Sequence, residues 1–277
     1  MIQKGRSFYK LSGSGNDFVF VDARFESVES LEQPAVVQAI CARGQGVGAD
    51  GIVFLSSNGR GQLGIRYLNS DGSPAALCGN ATLCAARLGA ELGIVNPKEE
   101  FGIVTDSGLV RARFSDNRPE IDLQPVTELQ DCFEAVPITG ERRIGFDLVG
   151  VPHLVVLCED VDRAPVLERG RALRRHPKLS HGANVNFVSP TSGRWRIRTY
   201  ERGVEAETLA CGTGSVATGL LLAAWGEASE SIELETRSGR ILRVRHRLEN
   251  GQRLASLSGE ARIIYLGELG ELFPTPT

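Results

Sequence analysis

Two stretches of this chain repeat each other, and each repeat contains a cysteine. The first runs from Ile65-Arg66-Tyr67 to Cys78-Gly79-Asn80, and the second runs from Ile197-Arg198-Thr199 to Cys211-Gly212-Thr213. Each contains an extended segment that opens with Ile-Arg, a polar loop, a Cys-Gly pair, and then a run rich in small and aliphatic residues. A chain that repeats a strand, a loop and the start of a helix is predicted to contain two similar domains.

Further matches extend the repeat over most of the chain. They occur in the same order in both halves and at nearly constant spacing, which isolated chance matches would not do. We interpret them as an internal duplication whose two copies are related by a pseudo-twofold axis. The matched segments are Gly15 with Gly150, Gly48-Ala49-Asp50 with Gly182-Ala183-Asn184, and Thr105-Asp106-Ser107-Gly108 with Thr236-Arg237-Ser238-Gly239.

The pattern of apolar runs and turn residues predicts more strands than helices. We therefore expect a mixed α/β (α+β) fold with two pseudosymmetric domains, each a curved mixed β-sheet or barrel around one central helix. The first domain is expected to cover residues 1–124 and the second 125–263, with a tail, 264–277, that packs on the first. Predicted strands cover 18–22, 52–55, 65–68 and 154–157, and predicted helices cover 31–42 and 82–92.

Composition limits the classes of partner. The chain has 277 residues, of which 42% are hydrophobic and 23% charged, and its net charge is -3. This balance predicts a globular protein without the basic surface that nucleic acid or an anionic membrane would require. No apolar run has the length of a signal peptide or a membrane span, so a cytoplasmic location is expected.

The six cysteines lack the spacing of a zinc site, and we expect no metal. Neither the CxxC pair nor the His/Cys cluster that zinc sites use occurs in the sequence. In a chain of this size, free cysteines are most often buried. Burial as free thiols is therefore expected for Cys41, Cys84, Cys132 and Cys158.

Cys78 and Cys211 are different, because each lies where a loop becomes a helix. The N-terminus of a helix has unpaired N–H groups and a partial positive charge, which favours a thiolate and can hold a carboxylate. Two such thiols on opposite faces of one carbon could remove a proton from one side and return one to the other. This arrangement predicts an inversion of configuration that needs no cofactor, with a small amino acid as the substrate.

The motifs around these cysteines resemble those of the diaminopimelate epimerase family. The resemblance covers nearly the whole chain and implies a two-domain pseudosymmetric fold. It further implies epimerisation of LL- to meso-diaminopimelate by two cysteines, in lysine and peptidoglycan-precursor synthesis, by a homodimer. The motifs are Ser14-Gly15-Asn16-Asp17-Phe18-Val19, Asn69-Ser70-Asp71-Gly72-Ser73, Leu77-Cys78-Gly79-Asn80, Tyr200-Glu201-Arg202-Gly203 and Ala210-Cys211-Gly212-Thr213-Gly214.

The resemblance also implies roles for individual residues. Cys78 and Cys211 would be the two acid/base groups, and His153 and Glu201 would support them. Tyr265 matches a tyrosine associated with the dimer contact. The residues expected to bind the substrate are Asn16, Asn69, Gly79, Asn80, Asn184, Glu201, Arg202, Gly212 and Thr213, of which Asn69, Asn184 and Arg202 would bind the distal, non-reacting end.

The sequence departs from the family pattern at a few positions. Val151 precedes Pro152-His153 where the family often has asparagine, and Gly51 occupies a position that resembles glutamine in the family. Asn80-Ala81-Thr82 replaces the commoner Asn-Gly-Ala. Val151 removes a side-chain contact with the distal end of the substrate, although its backbone carbonyl could serve instead.

Three alternative functions remain. A racemase of another amino acid would use the same two thiols, but a second anion site at Arg202 is not needed for a monocarboxylate. A cysteine hydrolase or transferase requires one thiol and a histidine base, which leaves the second cysteine unexplained. A binding protein that has lost catalysis would not need to keep both cysteines.

Overall fold

The computed structural model describes residues 5–59, 61–75, 77–191, 193–250 and 252–271, and they divide into two compact units. The first unit contains the described residues up to Ile121 together with those from Glu260 onward, and the second runs from Asp122 to Gly259. The return to the first unit therefore falls at Glu260, directly before the last strand, and not at residue 264 as expected from the sequence. Residues 272–277 of the expected tail lie outside the described residues.

The elements in chain order are as follows. The chain up to residue 122 contains β1 (Ser7–Gly13), β2 (Asn16–Asp22), α1 (Pro34–Cys41), β3 (Gly51–Ser57), β4 (Leu63–Asn69), α2 (Gly79–Glu91), β5 (Phe101–Thr105), β6 (Gly108–Ser115) and β7 (Arg118–Asp122). The remainder contains β8 (Leu129–Gln130), β9 (Glu141–Val149), β10 (Val151–Cys158), α3 (Val166–Arg174), β11 (Asn184–Thr191), β12 (Arg194–Glu201), β13 (Ala206–Thr208), α4 (Gly212–Ala224), β14 (Ser231–Glu235), β15 (Ile241–Glu249), β16 (Gln252–Gly259) and β17 (Ala261–Glu268).

The two units pair their strands in the same way. In the first unit β17, β1, β2, β3, β4, β5, β6 and β7 are neighbours in that order, and β2–β3 and β4–β5 are the parallel pairs. In the second unit the order is β8, β9, β10, β11, β12, β14, β15 and β16, and β10–β11 and β12–β14 are parallel. The expected fold class, a duplicated mixed α/β fold, is confirmed.

Each parallel pair is joined by a helix, because parallel neighbours need a crossover connection. Helix α1 joins β2 to β3 and α3 joins β10 to β11, whereas α2 joins β4 to β5 and α4 joins β12 to β14. The last two helices are the central ones, since most of their residues are buried. Helix α2 packs against β1, β4 and β17, and α4 packs against β9, β10, β11, β14, β15 and β16.

The elements of the first half agree with the sequence prediction more fully than those of the second. The helix predicted over 82–92 begins earlier, at Gly79, and the chain turns at Gly93 as expected, where φ is +66°. Helix α3 was not identified, although its buried residues Val166, Gly170 and Leu173 follow a helical spacing.

Two further findings concern exposure. Cys41, Cys84 and Cys158 are buried, as expected, but the expectation was wrong for Cys132, which is exposed in the loop after β8. Among the described residues, no helix is long and apolar enough to cross a membrane.

The packing of α2 against β1 can be tested at Gly13. A Cβ at this position would lie 2.9 Å from the Asn80 carbonyl oxygen and 2.9 Å from the Cys84 sulfur. We expect Gly13→Ala to lower the free energy of unfolding by about 1–3 kcal/mol, since the extra carbon forces the backbone apart. Urea denaturation followed by circular dichroism measures the change. Gly270→Ala is the control, because a Cβ there meets nothing within 4 Å; equal losses in the two variants would contradict this packing.

Candidate functional site

Cys78 is the N-cap residue of α2, at the end of the loop that follows β4. Its φ of -128° and ψ of 112° are those of an extended residue, so the helix begins only with Gly79. The Thr82 N–H and the Thr82 hydroxyl both donate to the Cys78 carbonyl oxygen, each at 2.9 Å. The first helical N–H groups, including those of Gly79 and Asn80, precede the i→i−4 pattern and are oriented toward the cysteine end.

A chain of polar side chains connects this helix start to the β1–β2 turn. The Asn80 side-chain amide donates to Asn16 Oδ1 at 2.6 Å, and the Asn16 amide donates in turn to Asp50 Oδ2 at 3.0 Å. Arg43 completes this set of contacts by forming ion pairs with Asp50, at 2.8 Å, and with Asp17, at 2.6 Å. Asn80 is buried, and its Oδ1 has no hydrogen-bond partner in the part of the chain that the structure describes.

Asn69 is the last residue of β4 and is half-buried. It begins the turn that leads toward Cys78, and its side-chain amide donates to Ser73 Oγ at 3.0 Å. The Asn69 N–H donates to the Ser73 carbonyl, which closes the turn. Within the first unit, the structure therefore places Asn16 and Asn80 in direct contact and holds Asn69 at the start of the loop that leads to the cysteine.

Cys211 has the same place in the second unit as Cys78 has in the first. It is the N-cap of α4, with φ of -131° and ψ of 112°, and the Ser215 hydroxyl donates to its carbonyl oxygen at 2.9 Å. The Gly214 N–H donates to the Cys211 sulfur at 3.4 Å, and the Thr213 hydroxyl lies 3.6 Å from that sulfur. This helix start therefore directs a backbone N–H at the sulfur, which would stabilise a thiolate.

Asn184, Glu201 and Arg202 lie together at one end of β11 and β12. Asn184 is the first residue of β11 and Glu201 the last of β12, and the Arg202 N–H donates to Asn184 Oδ1 at 2.8 Å. The Arg202 Nη1 donates to the carbonyls of His181 and Gly182, both at 3.3 Å. Neither Nε nor Nη2 of this guanidinium has a partner among the described residues, which leaves donors for an anion.

His153 lies on β10 and is fully buried. It is the register partner of Asn184 on one side and of Asp147 on the other. Burial and the nearby Arg202 cation together lower the pKa of His153 to about 3, so the ring is neutral near pH 7. Asp147 is also fully buried, and burial raises its pKa to about 7.

Tyr265 lies on β17 in the first unit. The residue is 44% exposed, and its ring makes an edge contact with the Phe8 ring, at a centroid distance of 6.0 Å. The neighbouring Ile264 and Leu266 are also exposed. No group of three or more His, Cys, Asp or Glu side chains suited to a metal ion occurs among the described residues.

The strands also bring into this site residues that sequence reasoning missed. The Asn186 side chain packs under the first turn of α4, since a Cβ on Gly214 would lie 2.2 Å from Asn186 Oδ1. Thr199 donates to the same oxygen at 2.9 Å. Polar residues at alternate positions of apolar strands were the available signal, because they share one face.

Solved structures share this fold at low sequence identity. A phenazine biosynthesis protein of the PhzF family from Bacillus anthracis superposes with a TM-score of 0.75 at 16% identity, over 96% of this chain and 99% of that one. A hydroxyproline epimerase from Agrobacterium vitis superposes with a TM-score of 0.68 at 17% identity, over 99% of this chain and 94% of that one. The chain thus has the α/β fold of these proteins. In this chain a cysteine is the N-cap residue of the central helix in each half.

Sequence comparison identifies the family within that fold. The diaminopimelate epimerase family model matches residues 8–127 and again residues 146–264. The diaminopimelate epimerase of Gemmatimonas aurantiaca is 45% identical, with 96% of this chain and all of that protein aligned. That of Aquifex aeolicus is 38% identical, over 95% of this chain and 98% of the relative. The chain belongs to the diaminopimelate epimerase family, as its motifs indicated.

The raised pKa of Asp147 has a consequence for stability. In the unfolded chain this carboxyl group ionises near 3.8, whereas in the folded protein it stays protonated until about pH 7. Between pH 3.8 and about pH 7, ionisation of this carboxyl group lowers the free energy of the unfolded state but not that of the folded state. The free energy of unfolding therefore falls as the pH rises. We expect the free energy of unfolding of Asp147→Asn, relative to that of the wild type, to increase by about 4 kcal/mol from pH 4 to pH 8.

Urea denaturation of both proteins at several pH values measures this difference. The exposed Asp131, in the same unit, provides the control variant Asp131→Asn, whose stability should follow that of the wild type at each pH. Parallel stability curves for Asp147→Asn and wild type would mean that Asp147 ionises normally in the folded protein.

Proposed function

We propose that this protein interconverts LL- and meso-diaminopimelate without a cofactor, with Cys78 and Cys211 as its two acid/base groups. The observation that carries the proposal is that each half has a cysteine at the N-cap of its buried central helix. The identity of 45% with a relative named diaminopimelate epimerase supports the choice of substrate.

The reaction is a proton exchange at one carbon atom. One cysteine, as a thiolate, takes the proton from Cα and becomes a thiol, while the electron pair remains on the substrate as a carbanion. The other cysteine, as a thiol, gives its proton to the opposite face and becomes a thiolate. The configuration is inverted, no atom is lost, and the two cysteines have exchanged protonation states.

The starts of α2 and α4 are suited to the negative charge that develops in this reaction. Gly79 and Asn80 in one half, and Gly212 and Thr213 in the other, contribute N–H groups at a helix N-terminus. Such donors hold the substrate carboxylate and stabilise the charge as it spreads from Cα. The absence of a side chain at both glycines lets the backbone approach the ligand closely.

The other polar residues would bind the remainder of the substrate. Asn16 is held by Asn80 and faces the same helix start. Asn69, Asn184 and Arg202 would bind the distal end, where the guanidinium would pair with the second carboxylate. Glu201 and His153 would support the thiols.

The setting of the enzyme is part of the proposal. We place the protein in the cytoplasm, in the synthesis of lysine and of a peptidoglycan precursor, and we expect a homodimer. The exposed Ile264, Tyr265 and Leu266 on β17 support a contact between two copies at this strand.

The two-thiol mechanism is tested by replacing each cysteine separately. We expect Cys78→Ala and Cys211→Ala each to reduce epimerisation by at least about 100-fold, because each removes the only proton carrier on one face. The assay incubates the protein with LL-diaminopimelate in deuterated water without cofactor and follows deuterium at Cα of the meso product. Wild type should give one deuterium per inversion.

The control is Cys132→Ala, which removes an exposed cysteine from the same chain. It should keep wild-type activity. Near-normal epimerisation by Cys211→Ala would eliminate the two-base mechanism, provided that circular dichroism shows the variant to be folded.

Arg202 tests the choice of substrate. We expect Arg202→Ala to raise KM for diaminopimelate by about 10- to 150-fold, the equivalent of about 1.5–3 kcal/mol for a charge-assisted contact. Steady-state kinetics measure the change. Arg194→Ala, at the exposed start of β12, is the control and should leave KM unchanged.

A normal KM for Arg202→Ala would remove the distal-carboxylate role. A racemase of a monocarboxylate amino acid, working by the same two thiols, would then be the better interpretation.

A further inference from the structure

One face of the second unit carries a row of buried polar side chains beneath α4. Register places Asp147 on β9 opposite His153 on β10, and Asn186 on β11 opposite Thr199 on β12. All four residues are at least 97% buried. The face is that of α4, because a Cβ on Gly145 would meet Leu221 of α4, and a Cβ on Gly214, within α4, would meet Asn186.

The equivalent row in the first unit is mainly aromatic and aliphatic. Phe18 is the register partner of Gly51, as His153 is of Asn184, and both partners are the first residues of their strands. Two positions further on, Val53 opposes Tyr67 where Asn186 opposes Thr199. The Phe18 and Tyr67 rings are in edge contact at 5.9 Å, whereas the second unit has hydrogen bonds at these positions. The fold itself therefore does not require polar residues in this row.

Asn186 determines which nitrogen of His153 carries the proton. Its side-chain Nδ2 lies 3.0 Å from the Leu154 carbonyl oxygen, which can only accept, so the atom in this position must be the amide nitrogen. The same nitrogen lies 3.2 Å from His153 Nδ1, and Thr199 donates to the amide oxygen. His153 Nδ1 must therefore be an acceptor, and the ring proton lies on Nε2.

We infer that Asn186, held by Thr199 and the Leu154 carbonyl, is a positioning residue that fixes His153 as a neutral hydrogen-bond donor through Nε2. A histidine held in this way cannot take the proton of a cysteine. The thiol of Cys211 therefore does not form a thiolate–imidazolium pair of the kind that cysteine hydrolases use. It remains the proton carrier on its own face, as a two-thiol exchange requires.

The charges around His153 agree with this assignment. Arg202 is the cation that acts on the ring, and together with burial it opposes an imidazolium. Burial raises the pKa of Asp147, the neighbour on β9, although the Leu148 N–H and the Arg253 cation favour its ionised form. The His153 Nε2 has no hydrogen-bond partner among the described residues, so its N–H is available to an acceptor.

The inference is tested first on the wild-type protein. The chain has four histidines, so ¹⁵N NMR of protein labelled at histidine resolves the ring tautomers, and His153→Gln assigns the signal of His153. At pH 7 we expect a neutral ring with its proton on Nε2. A proton on Nδ1, or an imidazolium at this pH, would overturn the inference without any change at Asn186.

Variants then separate positioning from packing. In Asn186→Asp a carboxylate accepts where the amide donated, so the proton should move to Nδ1 and kcat should fall by at least about tenfold, with KM within about twofold. Thr199→Val should shift the tautomer in part, and Thr199→Ser, which keeps the hydroxyl group, should restore it. A changed tautomer with unchanged kcat would refute the positioning role.

The control is Ser189→Ala on the same strand. Ser189 is buried and accepts from the Val161 N–H at 3.0 Å, on the face opposite to Asn186, so its loss should reduce stability but leave the tautomer and kcat unchanged. The kinetic role rests on the proposed function, but the NMR measurement does not. A wild-type protein inactive on diaminopimelate, with the proton on Nε2, would refute the proposed function and leave the tautomer assignment intact.

Discussion

Parallel pairing of β4 with β5, and of β12 with β14, is the constraint on which the position of the candidate site residues in each unit depends. Parallel neighbours can be joined only by a chain that crosses back over the sheet, and here a buried helix makes the crossing each time. That helix begins beyond the carboxyl end of the preceding strand, so its unpaired N–H groups lie in the loop there. Cys78 and Cys211 occupy the N-cap, the one position that is close to these groups and still outside the helix.

Duplication preserved this constraint and changed what surrounds it. The strand order, the parallel pairs and the N-cap cysteines recur in both units, and a hydroxyl group bonds back to each cysteine carbonyl, from Thr82 and from Ser215. The strand faces beneath the helices differ, since Phe18 and Val53 correspond to His153 and Asn186. Burying polar groups costs free energy unless they are hydrogen-bonded, which is why Asn186 uses both its amide nitrogen and its oxygen. Two similar scaffolds therefore hold their thiols in different environments.

The sequence alone was sufficient to predict the duplicated fold and the place of Cys78 and Cys211 at helix starts, because these features are repeated in the chain and formed by consecutive residues. A strand, a turn and a Cys-Gly pair at a helix start can be identified from consecutive residues, as at Cys78. The polar row could not be identified in this way, since His153, Asn186 and Thr199 meet only through strand register. The sequence match of Asp50 with Asn184 was also wrong by one residue, because strand register gives Asn184 and Gly51 equivalent positions in the two units. Exposure of Cys132 was missed for a similar reason, since burial depends on the packing of distant segments.

The opposite pKa shifts of Asp147 and His153 have one physical effect. Burial keeps the carboxyl group protonated up to about pH 7, and it keeps the imidazole neutral down to about pH 3. Between these values the row beneath α4 carries no net charge, so it adds no negative charge that would oppose the partial positive charge at the start of this helix. A neutral polar row thus preserves at Cys211 an environment that favours an anion, as the proposed thiolate and substrate carboxylate would require.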